Sequence, residues 1–286
     1  MTIHSQKYTI NLSKYTAAYT CIGKGTPIIF IHGLFGHAWT LGALMQELQH
    51  DYCCIGLDLL GFGDSDKPNI KYSIDVQITF LQEFIDAMKL KNFYLVGYSY
   101  GAWVAATYAI AEAKRIKSRH QSKAGILKGI TLMAPDGIKD DSAFNRCKYI
   151  KPLLWNTKLV DIALSRIYPA ANLVRKTKEF NTIVQLRNSI VTQPVAKSLI
   201  QGRFQGKYIG TTVENEIHHI TVPTLVIAAN NDNLVPLWHS QTYAKNIPQA
   251  KLEIISGADH SFHQKHPQQI ASLIKKYWQL SQLSKY

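Results

Sequence analysis

The sequence predicts an α/β protein with a mostly parallel sheet flanked by helices on both faces. Two observations indicate this class. Short apolar runs, typical of buried strands, alternate with stretches whose apolar residues recur at helical spacing, and strands separated by helices form parallel sheets. The alternation stops at about residue 136 and resumes after residue 216. We therefore expect a core formed by residues 1–135 and 217–286, with an inserted helical lid at 136–216.

The predicted elements fit this class along the whole chain. Buried apolar runs, alternation and helical periodicity identify the elements, and Gly- and Pro-containing turns separate several of them. In chain order they are two antiparallel edge strands (7–23), a strand (28–31), a helix that carries Trp39 and ends near His50, a strand (53–57), a helix (74–90), a strand (93–96), a helix (102–110), a basic surface loop (114–123), a strand (126–133), three helical patterns (153–168, 180–189 and 193–201), a strand (223–229), a helix (236–246), a strand (252–255) and a closing helix (263–280).

The composition is that of an ordinary globular protein, with 46% hydrophobic and 18% charged residues among 286. The first twenty residues contain no continuous apolar segment, so we expect no signal peptide. No later run is long and apolar enough to span a membrane. The four cysteines show no C-x-x-C spacing, which favours free thiols in a reducing compartment. These features predict a cytoplasmic protein.

The pentapeptide Gly97-Tyr98-Ser99-Tyr100-Gly101 joins a predicted strand to an Ala-rich helix. A serine at such a sharp junction is held with its hydroxyl exposed, and the glycines let the strand and the helix approach closely. Ser99 is therefore the candidate nucleophile. Two glycines and a serine at this spacing also arise by chance, so the hypothesis needs a base, an acid and an oxyanion pocket elsewhere in the chain.

A base and an acid follow two later strands. A seryl hydroxyl needs a general base, and His260, just after strand 252–255, reaches the edge where sites form in parallel sheets. Asp232 follows the preceding strand and is the favoured acid for orienting His260, although an Asx turn is another role for it. Asp136 is the alternative acid. Asp259 adjoins His260 in sequence, and we expect the two side chains to point apart.

Backbone N–H groups supply the predicted oxyanion hole. Tyr100 offers one from the start of a helix, and Leu34 offers another from the loop after strand 28–31. His32, in the same loop, is expected to brace the loop rather than to react. His263 and His266, in or near the closing helix, are expected to pack or to face away from the site.

With these motifs in this order, the chain resembles the α/β-hydrolase fold proteins over nearly its whole length. The chain order Ser, Asp, His agrees with that family. Two departures are Tyr100, where Met or Leu is commoner, and His266, where an acidic residue is frequent. The matching motifs are His32-Gly33 for the oxyanion loop, Asp58–Ser65 for the D-x-x-G-x-G-x-S loop, Gly97–Gly101 for the nucleophile turn, Asp232 with Pro236 for the acid loop, and Gly257–His260 with Pro267 for the histidine segment.

The resemblance implies a serine hydrolase that cleaves a carboxylic ester through the triad Ser99, Asp232 and His260, with neither a metal nor an organic cofactor. A serine at position 99 argues against the related haloalkane dehalogenases and epoxide hydrolases, which use an aspartate nucleophile. A hydrolase of C–C bonds, a lyase on the same triad and a ligand-binding receptor on the same fold are the alternatives.

The net charge of +13 is concentrated in the predicted lid, where residues 137–215 hold thirteen Lys or Arg and five Asp or Glu, a net of +8. This charge is either a general solubility feature or a sign of an anionic partner, for which an anionic small-molecule ester or an acidic acyl carrier protein is favoured. A membrane surface is the competing partner, and no nucleic acid is expected. Pimeloyl-carrier-protein methyl ester esterases are similar in size, triad and lid. The lid residues expected either to line an acyl pocket or to pack on the core are Leu153, Leu154, Trp155, Leu159 and Ile162.

Overall fold

The computed structural model describes residues 6–117, 125–140, 142, 152–155, 157–195, 198–199 and 212–283. Its strands and helices follow the predicted alternation. The strands are β1 (Lys7–Asn11), β2 (Thr16–Ile22), β3 (Thr26–Ile31), β4 (Tyr52–Leu57), β5 (Asn92–Tyr98), β6 (Ile126–Met133), β7 (Thr224–Ala229) and β8 (Ala250–Ile255). The helices are α1 (Gly42–Leu48), α2 (Ile74–Ala87), α3 (Tyr100–Lys117), α4 (Lys158–Leu173), α5 (Thr177–Thr192), α6 (Leu237–Asn246), α7 (Phe262–Lys265) and α8 (Pro267–Leu283).

The eight strands form one sheet in the order β1-β2-β4-β3-β5-β6-β7-β8. The pairs β1–β2 and β2–β4 are antiparallel, and every other neighbouring pair is parallel. The fold class predicted from the alternation is confirmed. Because β3 to β8 run in the same direction, the loops that follow them lie at one edge of the sheet.

The core has two halves, one on each face of the sheet. Successive residues of a strand point to opposite faces, so Ile29 and Leu95 pack with helices α2 and α3, whereas Phe30 and Val96 pack with α1 and α8. Trp278, in α8, stacks on Tyr94 with ring centroids 4.0 Å apart. The central strands are therefore covered on both faces, which agrees with their uninterrupted apolar sequences.

The helices α4 and α5 belong to the helical insertion, which we define as the chain between Gly137 and Val213. The N–H of Val213 donates to the carbonyl of Gly137 at 3.0 Å, so the two ends of the insertion meet beside the sheet. The pattern predicted at 153–168 corresponds to a short 3₁₀ turn followed by α4. The pattern at 180–189 lies within α5, and most of 193–201 lies outside the described residues.

Three boundaries differ from the predicted ones. Helix α3 continues to Lys117, so the loop predicted from residue 114 is wrong there; Ala113 is buried, and cations suit the last turn of a helix. Helix α1 begins only at Gly42, because residues 37–40 form a turn in which Thr40 N–H bonds to the carbonyl of His37. The closing helix is divided into α7 and α8 just before Pro267, a residue suited to the first helical position. No helix in the described ranges is long and apolar enough to cross a membrane.

Candidate active site

Ser99 lies between the end of β5 and the start of α3. Its backbone φ is 54°, in the left-handed region that residues other than glycine rarely adopt. Its N–H donates to the carbonyl of Met133 at 2.8 Å, and its carbonyl accepts from Ala102 at 3.0 Å. A Cβ on Gly97 would lie 2.4 Å from the carbonyl oxygen of Gly101, which explains why position 97 is a glycine. The surrounding hydrogen bonds therefore hold the serine in the strained turn predicted for a nucleophile.

The loops after β7 and β8 bring Asp232 and His260 together. The Oδ2 atom of Asp232 lies 2.6 Å from Nδ1 of His260. Its other oxygen, Oδ1, accepts hydrogen bonds from the N–H groups of Leu234 and Val235, both at 2.9 Å. The carboxylate is nearly inaccessible to water. Asp232 therefore both closes an Asx turn and contacts the histidine, so the two roles weighed from the sequence coexist.

The two other acids considered from the sequence are engaged differently. The Oδ1 atom of Asp136 accepts from the N–H of Gly137 at 2.9 Å, and its backbone carbonyl accepts from the hydroxyl of Tyr243 at 2.6 Å. Asp259 is exposed, and its carboxylate contacts Lys265 at 2.5 Å. Of these three carboxylates, Asp232 is the one whose hydrogen bond to His260 defines the site.

The loop after β3 passes directly beside the nucleophile. A Cβ on Gly33 would lie 3.1 Å from the Cβ of Ser99, and Leu34 is the next residue along. Gly36 N–H donates to the carbonyl of Gly33 at 3.0 Å, which closes a tight turn. On the opposite side, Tyr100 is the first residue of α3, where backbone N–H groups have no acceptor within the helix. Both predicted oxyanion-hole donors thus belong to segments adjoining Ser99.

His32 links two loops of the site. Its Nδ1 lies 2.8 Å from the carbonyl of Gly33, and its Nε2 lies 3.2 Å from the N–H of Leu59. The carbonyl can only accept and the Leu59 N–H can only donate, so the ring carries its proton on Nδ1 and is neutral. Burial lowers the pKa of His32, which agrees with the neutral form. The geometry is that of a bracing residue.

The Asp58–Ser65 motif fastens neighbouring loops together. The Asp58 carboxylate accepts from the N–H of Ala38 and, at 2.8 Å, from that of Asp64. Ser65 Oγ donates to the carbonyl of Asp58 at 2.6 Å and accepts from the N–H of Ala18 at 2.9 Å. This motif therefore positions the loops after β3 and β4 and takes no direct part in the candidate triad.

Two aromatic residues pack near His260, and sequence reasoning assigned no role to the first, Tyr98. Tyr98 lies beneath the imidazole with ring centroids 5.0 Å apart, and its hydroxyl donates to the His260 carbonyl at 2.7 Å. The ring of His263 packs against Tyr98 at 4.1 Å. Burial, together with the nearby His260, lowers the pKa of His263 to about 4. The sequence feature that could have indicated the role of Tyr98 is its position beside Ser99 at the end of a strand.

Part of the helical insertion packs against the loop after β3. Leu153, Leu154 and Ile190 form a buried cluster against which Leu34 and Phe35 pack. The other three residues considered for an acyl pocket, in contrast, are exposed to solvent, which overturns a lining role for them in this structure. They are Trp155, Leu159 and Ile162.

No group of His, Cys, Asp or Glu side chains within the described ranges is arranged to hold a metal ion. The segments after β5, β7 and β8 bring Ser99, Asp232 and His260 to the same edge of the sheet.

Comparison with known proteins agrees with this architecture. The profile of the alpha/beta hydrolase family matches residues 28–273. A 2-hydroxymuconate semialdehyde hydrolase from Pseudomonas sp. is 28% identical over 263 residues, which cover 88% of this chain and 86% of that protein.

Two solved structures illustrate the shared fold. A thermophilic esterase from Thermogutta terrifontis superposes with a TM-score of 0.70 at 20% identity, covering 97% of this chain and 99% of the esterase. A meta-cleavage product hydrolase from Pseudomonas fluorescens superposes with a TM-score of 0.72 at 19% identity, covering 96% and 98%. With the profile match extending over most of its length, the chain belongs to the alpha/beta hydrolase family.

Proposed function

We propose that this protein is a serine hydrolase that cleaves a carboxylic ester through an acyl-enzyme intermediate. The observation that carries the proposal is the pairing of a buried Asp232 carboxylate with Nδ1 of His260, at the sheet edge where Ser99 occupies a strained turn. An aspartate at position 99 would favour dehalogenase chemistry, whereas a serine suits acyl transfer.

The proposed reaction begins with proton transfer from the Ser99 hydroxyl to Nε2 of His260 as Oγ forms a bond to the ester carbonyl carbon. The N–H groups of Leu34 and Tyr100 stabilise the oxyanion. The bond to the alcohol then breaks, and the alcohol leaves with the proton from His260. Water attacks the acyl group, giving a proton to His260, and the acid leaves as Ser99 regains its proton. Asp232 orients His260 and stabilises its cationic form.

The substrate class is suggested by charge. The net charge of +8 on residues 137–215 favours an ester whose acyl group is anionic, either free or linked to an acidic carrier protein. We further propose that the helical insertion acts as a lid, because its buried cluster of Leu153, Leu154 and Ile190 packs against Leu34.

A second candidate is hydrolysis of a C–C bond in a ring-cleavage product. It is favoured by the similarity to the 2-hydroxymuconate semialdehyde hydrolase, which extends over 88% of this chain. That reaction would use the same serine and histidine, so the triad geometry does not distinguish it from ester hydrolysis.

The test is a screen of p-nitrophenyl esters of varied acyl length, including monoesters of dicarboxylic acids, together with labelling by a fluorophosphonate probe. We expect ester turnover and labelling to be lost in Ser99→Ala and kept in Ser13→Ala, which changes an exposed serine remote from the site. Labelling at Ser99 without turnover of any ester, combined with cleavage of 2-hydroxymuconate semialdehyde, would select the second candidate. The absence of both labelling and turnover would overturn both candidate functions.

A further inference from the structure

Helix α4 has two apolar faces, of which one packs against other described residues and the other is exposed. Val160, Leu164 and Ala171 lie on the side that faces the rest of the helical insertion, where they are partly or fully buried. The outward face of α4 is defined by four large apolar side chains that are largely exposed. They are Leu159, Ile162, Ile167 and Leu173, with exposed fractions of 70%, 47%, 52% and 86%.

These four side chains lie on one side of the helix, with the exposed Ala163 and Ala170 between them. At about 100° of rotation per residue they fall within an arc of about 140°, directly beside the packed side of the helix. Single exposed apolar residues are normal on a protein surface, but a contiguous stripe marks an interaction site. Within the part of the chain that the structure describes, the outward face of α4 therefore has no packing partner.

Cations lie on α4 and on the segment that follows it. The stretch from residue 158 to 178 contains five Lys or Arg and one Asp. The acid, Asp161, is bonded to the buried Arg187 at 3.0 Å, so its charge is already compensated. Arg166 lies within the apolar arc, and its long side chain can place its charge beyond the apolar residues. The remaining cations, all exposed, are Lys158, Arg175, Lys176 and Lys178.

From this combination we propose that the outward face of α4 docks on an anionic lipid surface, with the apolar side chains entering the acyl region and the cations contacting phosphate groups. Interfacial helices combine these two features, and each cation near an anionic leaflet adds affinity. A second copy of the chain fits poorly, since pairing two such faces would bring like charges together. An acidic protein would satisfy the cations but supplies no evident cover for four large apolar side chains.

The position of this face connects it to the site without depending on the proposed chemistry. The cluster that contains Leu153 and Leu154, just before α4, packs against the loop that passes beside Ser99. A docked helix would therefore hold the candidate site near the lipid surface. Because docking requires no turnover, the Ser99→Ala chain is expected to bind lipid as the unmodified chain does, and failure of either proposal can be recognised separately.

The test is co-sedimentation of the full chain with vesicles made of equal parts phosphatidylcholine and phosphatidylglycerol, compared with pure phosphatidylcholine. We expect binding to the anionic vesicles that weakens in high salt. The combined change Leu159→Ser, Ile162→Ser and Leu173→Ser should lower the partition coefficient about tenfold or more. The combined change Lys176→Glu and Lys178→Glu should have a similar effect on anionic vesicles.

Matched controls separate the outward face of α4 from general surface properties. Leu280→Ser changes an exposed apolar residue on α8, and Lys91→Glu with Lys245→Glu reverses two exposed charges elsewhere. These controls should keep most of the binding. Their circular dichroism spectra and melting temperatures, and those of the test variants, should match those of the unmodified chain, because all the changed residues are largely exposed.

Three results would overturn the proposal. The first is the absence of binding to either vesicle. The second is vesicle binding that the α4 variants leave unchanged. The third is a different partner: a concentration-dependent dimer that the apolar changes abolish, or capture by an immobilised acidic acyl carrier protein that the lysine changes abolish, in either case without vesicle binding.

Discussion

The hydroxyl of Tyr98 donates a hydrogen bond of 2.7 Å to the backbone carbonyl of His260. Tyr98 immediately precedes Ser99, so the segment that carries the candidate nucleophile also holds the loop that carries the candidate base. The tyrosine is buried, and its ring supports the imidazole from below. The relative position of the two reactive groups therefore depends on a contact made by neither of them.

Removing this hydrogen bond should slow the reaction more than it weakens substrate binding. In Tyr98→Phe the ring contact is retained while the bond to the His260 carbonyl is lost, and we expect kcat to fall about tenfold with little change in KM. The unfolding free energy should fall by about 1 kcal/mol. Steady-state kinetics on the best ester of the screen and urea denaturation measure the two effects.

Tyr277→Phe is the control, because Tyr277 also donates to a backbone carbonyl, that of Gln249 at 3.1 Å. Its hydroxyl also accepts from the N–H of Thr224 at 3.0 Å, so this variant should lose at least as much stability as Tyr98→Phe, without loss of kcat. Equal kcat values for Tyr98→Phe and the unmodified enzyme would show that the Tyr98 bond is merely structural.

Replacing the triad acid should abolish most activity without unfolding the protein. Asp232→Asn keeps an oxygen that can accept from the N–H groups of Leu234 and Val235 but removes the negative charge beside His260, so kcat should fall about 1,000-fold or more. Asp136→Asn should change kcat less than about threefold. The opposite ranking, measured with the same ester, would assign the acid role to Asp136.

His263 should make stability depend on pH. Its pKa is lowered from the ordinary value of 6.5 to about 4 in the folded state, so the unfolded chain binds the proton more readily. The stabilisation is present above pH 6.5 and is lost as the pH falls towards 4. Between these values the unfolding free energy of the unmodified chain should fall by up to about 3 kcal/mol more than that of His263→Phe.

The measurement is urea denaturation of both proteins at several pH values. His50→Phe, a change at an exposed histidine, should leave the pH dependence of the unmodified chain intact. Parallel curves for the unmodified chain and His263→Phe would mean that His263 is not protonated on unfolding in this range.

Two glycines allow the stability cost of a left-handed backbone to be measured separately from that of a steric clash with a neighbouring side chain. Gly63 and Gly257 have φ values of 48° and 72°, but a Cβ on Gly63 would lie 2.1 Å from Cγ of Asp58, whereas a Cβ on Gly257 would meet nothing within 4 Å. Gly257→Ala should cost about 1 kcal/mol from the left-handed backbone alone. Gly63→Ala should cost about 3 kcal/mol. Equal losses in urea denaturation would contradict the proposed role of the Asp58 contact.

Strand order predicted which edge of the sheet the candidate residues would share, but not the contacts that support them. Ser99, Asp232 and His260 lie in the segments that follow β5, β7 and β8, and strand order alone brings such positions to one edge of a parallel sheet. The Tyr98 contact with His260 joins residues 162 positions apart, and no local pattern indicates which side chain lies beneath the imidazole. His263 was predicted to pack or to face away; its burial fits the first of these, but its partner could not be named.

Helical periodicity was less informative in the insertion. It predicted α4 and α5 but could not show which apolar face would be packed. Trp155, Leu159 and Ile162 were therefore as eligible for a pocket as Leu153 and Leu154, and only the tertiary contacts separated the two groups. The charges of residues 114–117 suggested a loop although these residues end a helix, because cations favour both solvent and helix C-termini.

The hydrogen bond between Val213 and Gly137 holds the two ends of the insertion together. Its two ends lie side by side between the neighbouring strands β6 and β7, so the insertion can be lengthened, shortened or exchanged while the strand order stays the same. The candidate site residues and the insertion can therefore vary separately, and one sheet edge can be combined with many different insertions.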